Sequence, residues 1–202
     1  ARAGVGFLFA PVYHPAFKVI MPVRKILAEQ GMRTIFNLIG PLLNPARPER
    51  QLVGVFNPAL PPVYAEILER MGRESAWAVH GSTRDGRPVD ELSTMGPTRV
   101  CRSGVASDSG DETIEPGDLG MAESQVGELQ GGDASKNADI LTGILDGSDT
   151  GPRRDIVLLN AAAGLACAGV VEDLRAGVEK ARELVTTGAA FERLRLLQEA
   201  SG

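Results

Sequence analysis

The sequence predicts an α/β protein built on a central, mostly parallel sheet flanked by helices. Three observations carry that expectation. Residues 51–56 and 75–80 are apolar runs of strand length, and an amphipathic stretch at 61–71 lies between them; a strand, helix, strand unit of this kind marks a parallel pair. Apolar residues recur at helical spacing over 136–145, 154–170, 174–186 and 191–199. A chain of 202 residues with 43% hydrophobic content buries roughly two-thirds or more of its unfolded surface, enough for one full-sized domain.

The elements before this unit are less regular. Residues 5–10 read as a short buried strand ended by Pro11, and His14-Pro15 then offers a helix start, because proline suits the first helical turn. The helix is expected to run to Gln30, with Gly31 at its C-terminal cap. Pro22 falls inside the pattern and removes a backbone donor, so either the helix kinks there or a second one begins. Residues 34–45 are apolar but punctuated by Gly40-Pro41 and Asn44-Pro45, which predicts a buried turn of helix between loops. Residues 103–120, rich in Gly, Ser and acid, read as loops with weak strand pieces. The chain opens on Ala1 and runs at once into an apolar stretch, which reads as a truncated front.

Bulk properties narrow the function classes. A net charge of -5, with no dense run of Lys and Arg, argues against nucleic acid as a partner. The most apolar stretch, 156–171, is diluted by Asn160, Gly164 and Gly169 and falls short of the ~20 residues of a membrane helix. Cys101 and Cys167 lie far apart with no metal-ligand spacing and no leader pattern precedes them, so a reduced cytoplasmic compartment is expected.

The most pointed chemical pattern is Asp90-Glu91, adjacent carboxylates on a loop beyond the strand that ends Val79-His80-Gly81. Open α/β sheets bind ligands outside the carboxyl ends of their strands, and Mg²⁺ takes one or two carboxylates with its remaining oxygens from water and phosphate. Such a pair on its own is more often solvated charge; its position raises the weight of a metal site. The helix entered at His14-Pro15 carries Lys18, Arg24 and Lys25. Arg24 is the better candidate for a carboxylate ligand, since a guanidinium fork matches two oxygens at once, although a surface arginine paired with Glu29 or water satisfies the same spacing. His14 and His80 form no cluster with each other. Gly131-Gly132-Asp133 before a helix fits either an anion-binding turn or an ordinary N-cap, the latter being commoner. The small-residue run 160–169 reads as close helix packing, and neither Ser93 nor Cys101 has the partners of a nucleophile, so no catalytic residue is named.

Taken together, Phe7-Leu-Phe-Ala-Pro-Val-Tyr-His-Pro-Ala-Phe-Lys, Pro22-Val-Arg, Arg33-Thr-Ile-Phe-Asn-Leu-Ile-Gly-Pro-Leu-Leu-Asn-Pro, Val79-His-Gly, Val89-Asp-Glu-Leu-Ser, Gly131-Gly-Asp-Ala and Leu158-Leu-Asn-Ala-Ala-Ala resemble the anthranilate phosphoribosyltransferase family, in its order. The resemblance implies a fold of the nucleoside phosphorylase/phosphoribosyltransferase type. It implies transfer of a phosphoribosyl group from 5-phosphoribosyl 1-pyrophosphate to anthranilate in tryptophan biosynthesis, in a Mg²⁺-dependent cytoplasmic homodimer. Carried over by position, it implies Arg24 as an anthranilate ligand, His14 and Pro41 as residues lining that side, and Asp90 with Glu91 as metal ligands. Residues 1–202 correspond to the C-terminal part of the family's α/β domain, with about 15–47 expected to pack with a helical domain. The family's Gly-Thr-Gly-Gly-Asp phosphate loop and Lys-His-Gly-Asn segment precede the matched region, so little activity is expected from these residues alone. Leu43 stands where the family commonly has threonine. A pyrimidine nucleoside phosphorylase of the same fold, or a non-catalytic binding paralogue, are the alternatives; the helix bearing Arg24 and the acid pair oppose them.

Overall fold

The structure, a computed structural model, describes residues 3–8, 13, 15–32, 34–104 and 109–201, and of residues 15–18 and 24 the backbone alone. Helix α1 spans Pro15–Glu29 as one continuous element, with Pro22 inside it. It ends as the sequence predicts. Gly31 adopts a left-handed φ of 70°, its N–H donates to Ala28 O at 3.0 Å, and that of Met32 to Leu27 O at 2.8 Å. This pairing is the Schellman closure, which satisfies carbonyls the last turn leaves open. Residues 5–8 belong to no regular element, and the rest of the predicted first strand lies outside the described residues.

Residues 34–45 depart from expectation. They form two short 3₁₀ turns, Ile35–Asn37 and Gly40–Leu43, and neither contains a buried residue. Punctuation by Gly-Pro and Asn-Pro leaves no length for a regular helix. The segment is instead tied down through backbone carbonyls: the Tyr64 hydroxyl donates to Leu38 O, and Gln51 Nε2 donates to Pro41 O at 2.8 Å.

The expected strand, helix, strand unit is present as β1 (Arg50–Gly54), α2 (Pro61–Arg70) and β2 (Ser75–Ser82), with the two strands parallel. Beyond it, the mostly parallel sheet of the sequence reading is corrected. Strand β3 (Pro88–Val89) pairs antiparallel with the end of β2, β4 (Thr98–Ser103) antiparallel with β2, and β5 (Gly110–Ile114) antiparallel with β4. The sheet is mixed, ordered β1-β2-β4-β5 among the described strands, with β3 beside β2. The cause lies in the connections. β1 and β2 are joined through a helix, as parallel neighbours require, whereas antiparallel neighbours such as β2, β4 and β5 need no helical crossover.

Alternation along β2 builds a core on each face. Trp77 and Val79 face Leu158, Leu159, Ala162 and Ala163 of helix α4 (Pro152–Cys167) and Val178 and Val185 of α5 (Leu174–Thr186). Ala76 and Ala78 face Tyr64, Ala65 and Leu68 of α2. The result is three layers, helices on both faces of one sheet. Helices α3 (Ala134–Leu145) and α6 (Ala189–Ser201) complete the chain, and no helix of the described residues is long and apolar enough to cross a membrane. The small-residue run does what its composition predicts: a Cβ on Gly177 of α5 would lie 2.8 Å from the Ala162 carbonyl oxygen and 2.9 Å from its Cα. Gly164, by contrast, meets nothing within 4 Å.

Gly177→Ala therefore forces α4 and α5 apart and is expected to destabilise by about 1–3 kcal/mol. Gly164→Ala, in the open interior of α4, is expected to stabilise by up to about 1 kcal/mol through helix propensity. Urea denaturation of the two variants checks the pair.

Candidate active site

Parallel pairing places the carboxyl ends of β1 and β2 at the same edge of the sheet. Strand β3 returns along the end of β2, with Gly81 opposite Val89, so the residues after Val89 cross the strand ends rather than leaving them. The crossing is tight. A Cβ on Gly54 would lie 1.6 Å from the carbonyl oxygen of Asp90, and one on Gly81 would lie 2.3 Å from that of Glu91 and 2.9 Å from the Ser93 side chain. Only glycine at the two strand ends lets the acid pair sit on them.

Residues 92–95 anchor the loop in the core. Leu92 and Thr94 are fully enclosed. The Ser93 N–H donates to Thr98 Oγ1 at 2.9 Å, and the Met95 N–H donates to Ser93 Oγ at 3.0 Å. The Thr94 and Ser124 hydroxyls pair at 2.7 Å. Ser93 is thus a structural acceptor. From α4, Asn160 accepts from the Leu92 N–H at 3.0 Å and donates to Leu92 O at 2.9 Å.

Asp90 and Glu91 themselves stay exposed at the surface. Surrounding protein mass, and then the neighbouring Asp90 charge, push the Glu91 carboxyl above its ordinary value. A bound cation opposes both effects. Among the described residues, no cluster of three or more His, Cys, Asp or Glu gathers elsewhere as a metal cage. Two adjacent carboxylates on a fixed backbone fit an ion such as Mg²⁺, which draws its other oxygens from water and phosphate, and do not fit zinc.

His80, at the same edge, is buried, and its Nδ1–H donates to the Val55 carbonyl at 2.7 Å. With the Val55 N–H bonded to Val79 O at 2.9 Å, this fastens the chain that leaves β1. Pro41 lines a cavity of about 280 Å³ with Gly40, Asn44, Pro45, Gln51 and Val53. Val53 precedes Gly54, so this cavity and the acid pair occupy consecutive stretches of one strand. Arg24 lies in α1, with its backbone alone described, and His14 lies outside the described residues. The Gly131-Gly132-Asp133 turn follows its plainer reading. Asp133 caps α3 by accepting from the Lys136 N–H at 2.9 Å, and the Gly132 N–H is taken by Asn137 Oδ1 at 2.8 Å. Burial pushes the Cys101 thiol up to about 11, which leaves it protonated and unreactive at neutral pH.

The profile of the glycosyl transferase family, a/b domain, matches residues 1–191. The chain belongs to that family. Within it, the chain is 46% identical over 202 residues to the anthranilate phosphoribosyltransferase of Anaeromyxobacter dehalogenans (strain 2CP-C), covering 99% of this chain and 56% of that protein. It is 43% identical over 201 residues to the enzyme of the same name from Haloferax volcanii, covering 98% and 57%. The chain therefore spans little more than half the length of these relatives. The fold superposes on the crystal structure of anthranilate phosphoribosyltransferase from Thermus thermophilus with a TM-score of 0.83 and 40% identity, over 98% of this chain and 55% of that one. The Saccharomyces cerevisiae enzyme in complex with PRPP and Mg aligns with a TM-score of 0.78 at 27% identity, over 91% and 51%.

The glycine at the end of β1 is a strict requirement of this geometry. Gly54→Ala is expected to displace the Asp90-Glu91 loop and destabilise by about 1–3 kcal/mol, whereas Gly127→Ala, which meets nothing within 4 Å, is expected to be neutral. A lowered denaturation midpoint for the first alone, with a shifted loop in its crystal structure, checks the contact.

Proposed function

We propose that the protein transfers a phosphoribosyl group from 5-phosphoribosyl 1-pyrophosphate to anthranilate, forming N-(5-phosphoribosyl)anthranilate and pyrophosphate. The observation that carries this reading is the placement of Asp90 and Glu91 across the carboxyl ends of β1 and β2, on glycines where a side chain would overlap their carbonyl oxygens. Kinship with anthranilate phosphoribosyltransferases supports the substrate pair. So do the neighbours solved with PRPP and Mg and with 4-fluoroanthranilate.

In this reading the anomeric C–O bond to pyrophosphate breaks, a C–N bond to the aromatic amine forms, and the amine loses a proton. Asp90 and Glu91 would hold Mg²⁺, which when bound would supply positive charge to the departing phosphates. We assign Arg24 to the anthranilate carboxylate, because a guanidinium fork would take both oxygens and so orient the amine, with Pro41 and His14 assigned to the same substrate. Positioning and charge compensation dominate; no side chain is required to act as a nucleophile.

Residues 15–47 are proposed to pack with a helical domain. Support comes from α1, whose Val19, Val23 and Ile26 share one face and all lie more than half exposed, an apolar stripe that a protein in water ordinarily covers. A cytoplasmic homodimer is the matching proposal for the whole protein.

The test uses the protein as its gene encodes it, with product formation followed by fluorescence. Asp90→Asn and Glu91→Gln are each expected to lower kcat/KM by on the order of 10²-fold, and a chelator should abolish the wild-type rate. Arg24→Lys keeps the charge but loses the fork, and is expected to raise the anthranilate KM about tenfold or more at little change in kcat. Full activity in the Asp90→Asn/Glu91→Gln double variant would sink the proposal.

A further inference from the structure

Asn160 stands out as a carboxamide in the middle of a helix whose neighbours Leu158, Leu159, Ala162 and Ala163 are buried. Beyond its donation to Ile156 O one turn back at 3.0 Å, both ends of its side chain are spent on one residue, Leu92. Its oxygen accepts from the Leu92 N–H and its nitrogen donates to the Leu92 carbonyl. The acid pair immediately precedes Leu92.

The Leu92 N–H belongs to the Glu91-Leu92 peptide, and the oxygen of that same peptide is the one pressed against Gly81. The peptide plane is therefore gripped from both sides, by Asn160 at its nitrogen and by the end of β2 at its oxygen. The preceding carbonyl, that of Asp90, rests on Gly54. A fixed peptide plane fixes the direction in which the Cα–Cβ bond of Glu91 leaves the backbone. Helix packing alone needs none of this, since an alanine or leucine fills such a position without polar atoms to satisfy.

We propose that Asn160 is a positioning residue for the metal-holding carboxylates: from α4 it locks the Glu91-Leu92 peptide so that Asp90 and Glu91 present a preformed pair to the cation. This rests on the reading of Asp90 and Glu91 as metal ligands. Groups that orient ligands from behind typically change metal affinity 10–100-fold when removed. Asn160→Ala loses all three hydrogen bonds; Asn160→Asp keeps the acceptor and loses both donations. Each leaves a polar group of the fully enclosed Leu92 without its partner.

The experiment measures the Mg²⁺ concentration for half-maximal activity, together with both substrate KM values, in the protein as its gene encodes it. Wild type, Asn160→Ala, Asn160→Asp, Asp90→Asn and Val178→Ala are compared, the last weakening the same core without removing a hydrogen bond to the loop. Both Asn160 variants are expected to raise the Mg²⁺ midpoint tenfold or more, with the anthranilate KM within about twofold of wild type. Val178→Ala is expected to lower Tm and leave the midpoint alone. If Asp90→Asn moves the midpoint and a folded Asn160 variant does not, the positioning role is overturned while the metal reading survives. If Asp90→Asn leaves the midpoint unchanged, the metal reading fails and the proposal falls with it. Hydrogen exchange on the wild type needs no variant: the Leu92 amide is expected to share the protection of the α4 interior, and rapid exchange there with α4 still protected overturns the proposal.

Discussion

The acid pair owes its place to a close approach of backbone to backbone. Strands β1 and β2 end in Gly54 and Gly81, and the 90–91 segment lies so near them that any side chain at either glycine would overlap its carbonyl oxygens. Hydrophobic burial cannot set such a contact, because it is non-directional. It is set by what holds the segment from the other side: Leu92 enclosed in the core, Ser93 and Thr94 locked by hydroxyl hydrogen bonds, and the Asn160 carboxamide reaching up from α4. Two like charges are thereby kept side by side where the helix, strand and loop layers meet. Stability gains nothing from that arrangement, whereas a site for a cation and a polyphosphate needs it.

The remaining structure divides between support and surface. The three-layer core of α2, the sheet, and α4 with α5 gives the strand ends a rigid base. The ion pairs on the periphery, such as Arg84 with Glu115 and Glu123 or Arg195 with Glu192, are solvent-exposed and contribute little each. The 34–45 segment is fixed through Tyr64 and Gln51 to α2 and β1. One strand thus carries the Pro41 cavity along its length and the acid pair at its tip.

Much of this was legible in the sequence because it rests on periodicity and punctuation. The β1, α2, β2 unit, the helix over Leu174–Thr186, the Gly31 cap and the Asp133 cap all follow from local spacing. The position of Asp90 and Glu91 beyond a strand end was legible as well. The antiparallel half of the sheet was not. Strand β5 carries Asp111 and Glu112, whose charge masks the apolar alternation of a strand while it suits an exposed edge, and these acids pair with Arg99 and Arg102 of β4. The apolar 34–45 stretch reads as buried because apolar composition predicts burial, yet neither of its 3₁₀ turns contains a buried residue. Asn160 was hidden in plain view: its one signal was a polar residue amid small apolar ones on a helix, and its partner is 68 positions away.

The central claim is that the Asp90-Glu91 pair, as the strand ends hold it, is a cation site. Anomalous diffraction from crystals grown with Mn²⁺ and pyrophosphate tests it most directly. The account predicts an anomalous peak at about 2.0–2.3 Å from carboxylate oxygens of Asp90 or Glu91, with phosphate oxygens completing the shell, and no such peak in Asp90→Asn/Glu91→Gln crystals. An ordered pyrophosphate with manganese bound elsewhere, or a peak that survives in the double variant, would contradict it.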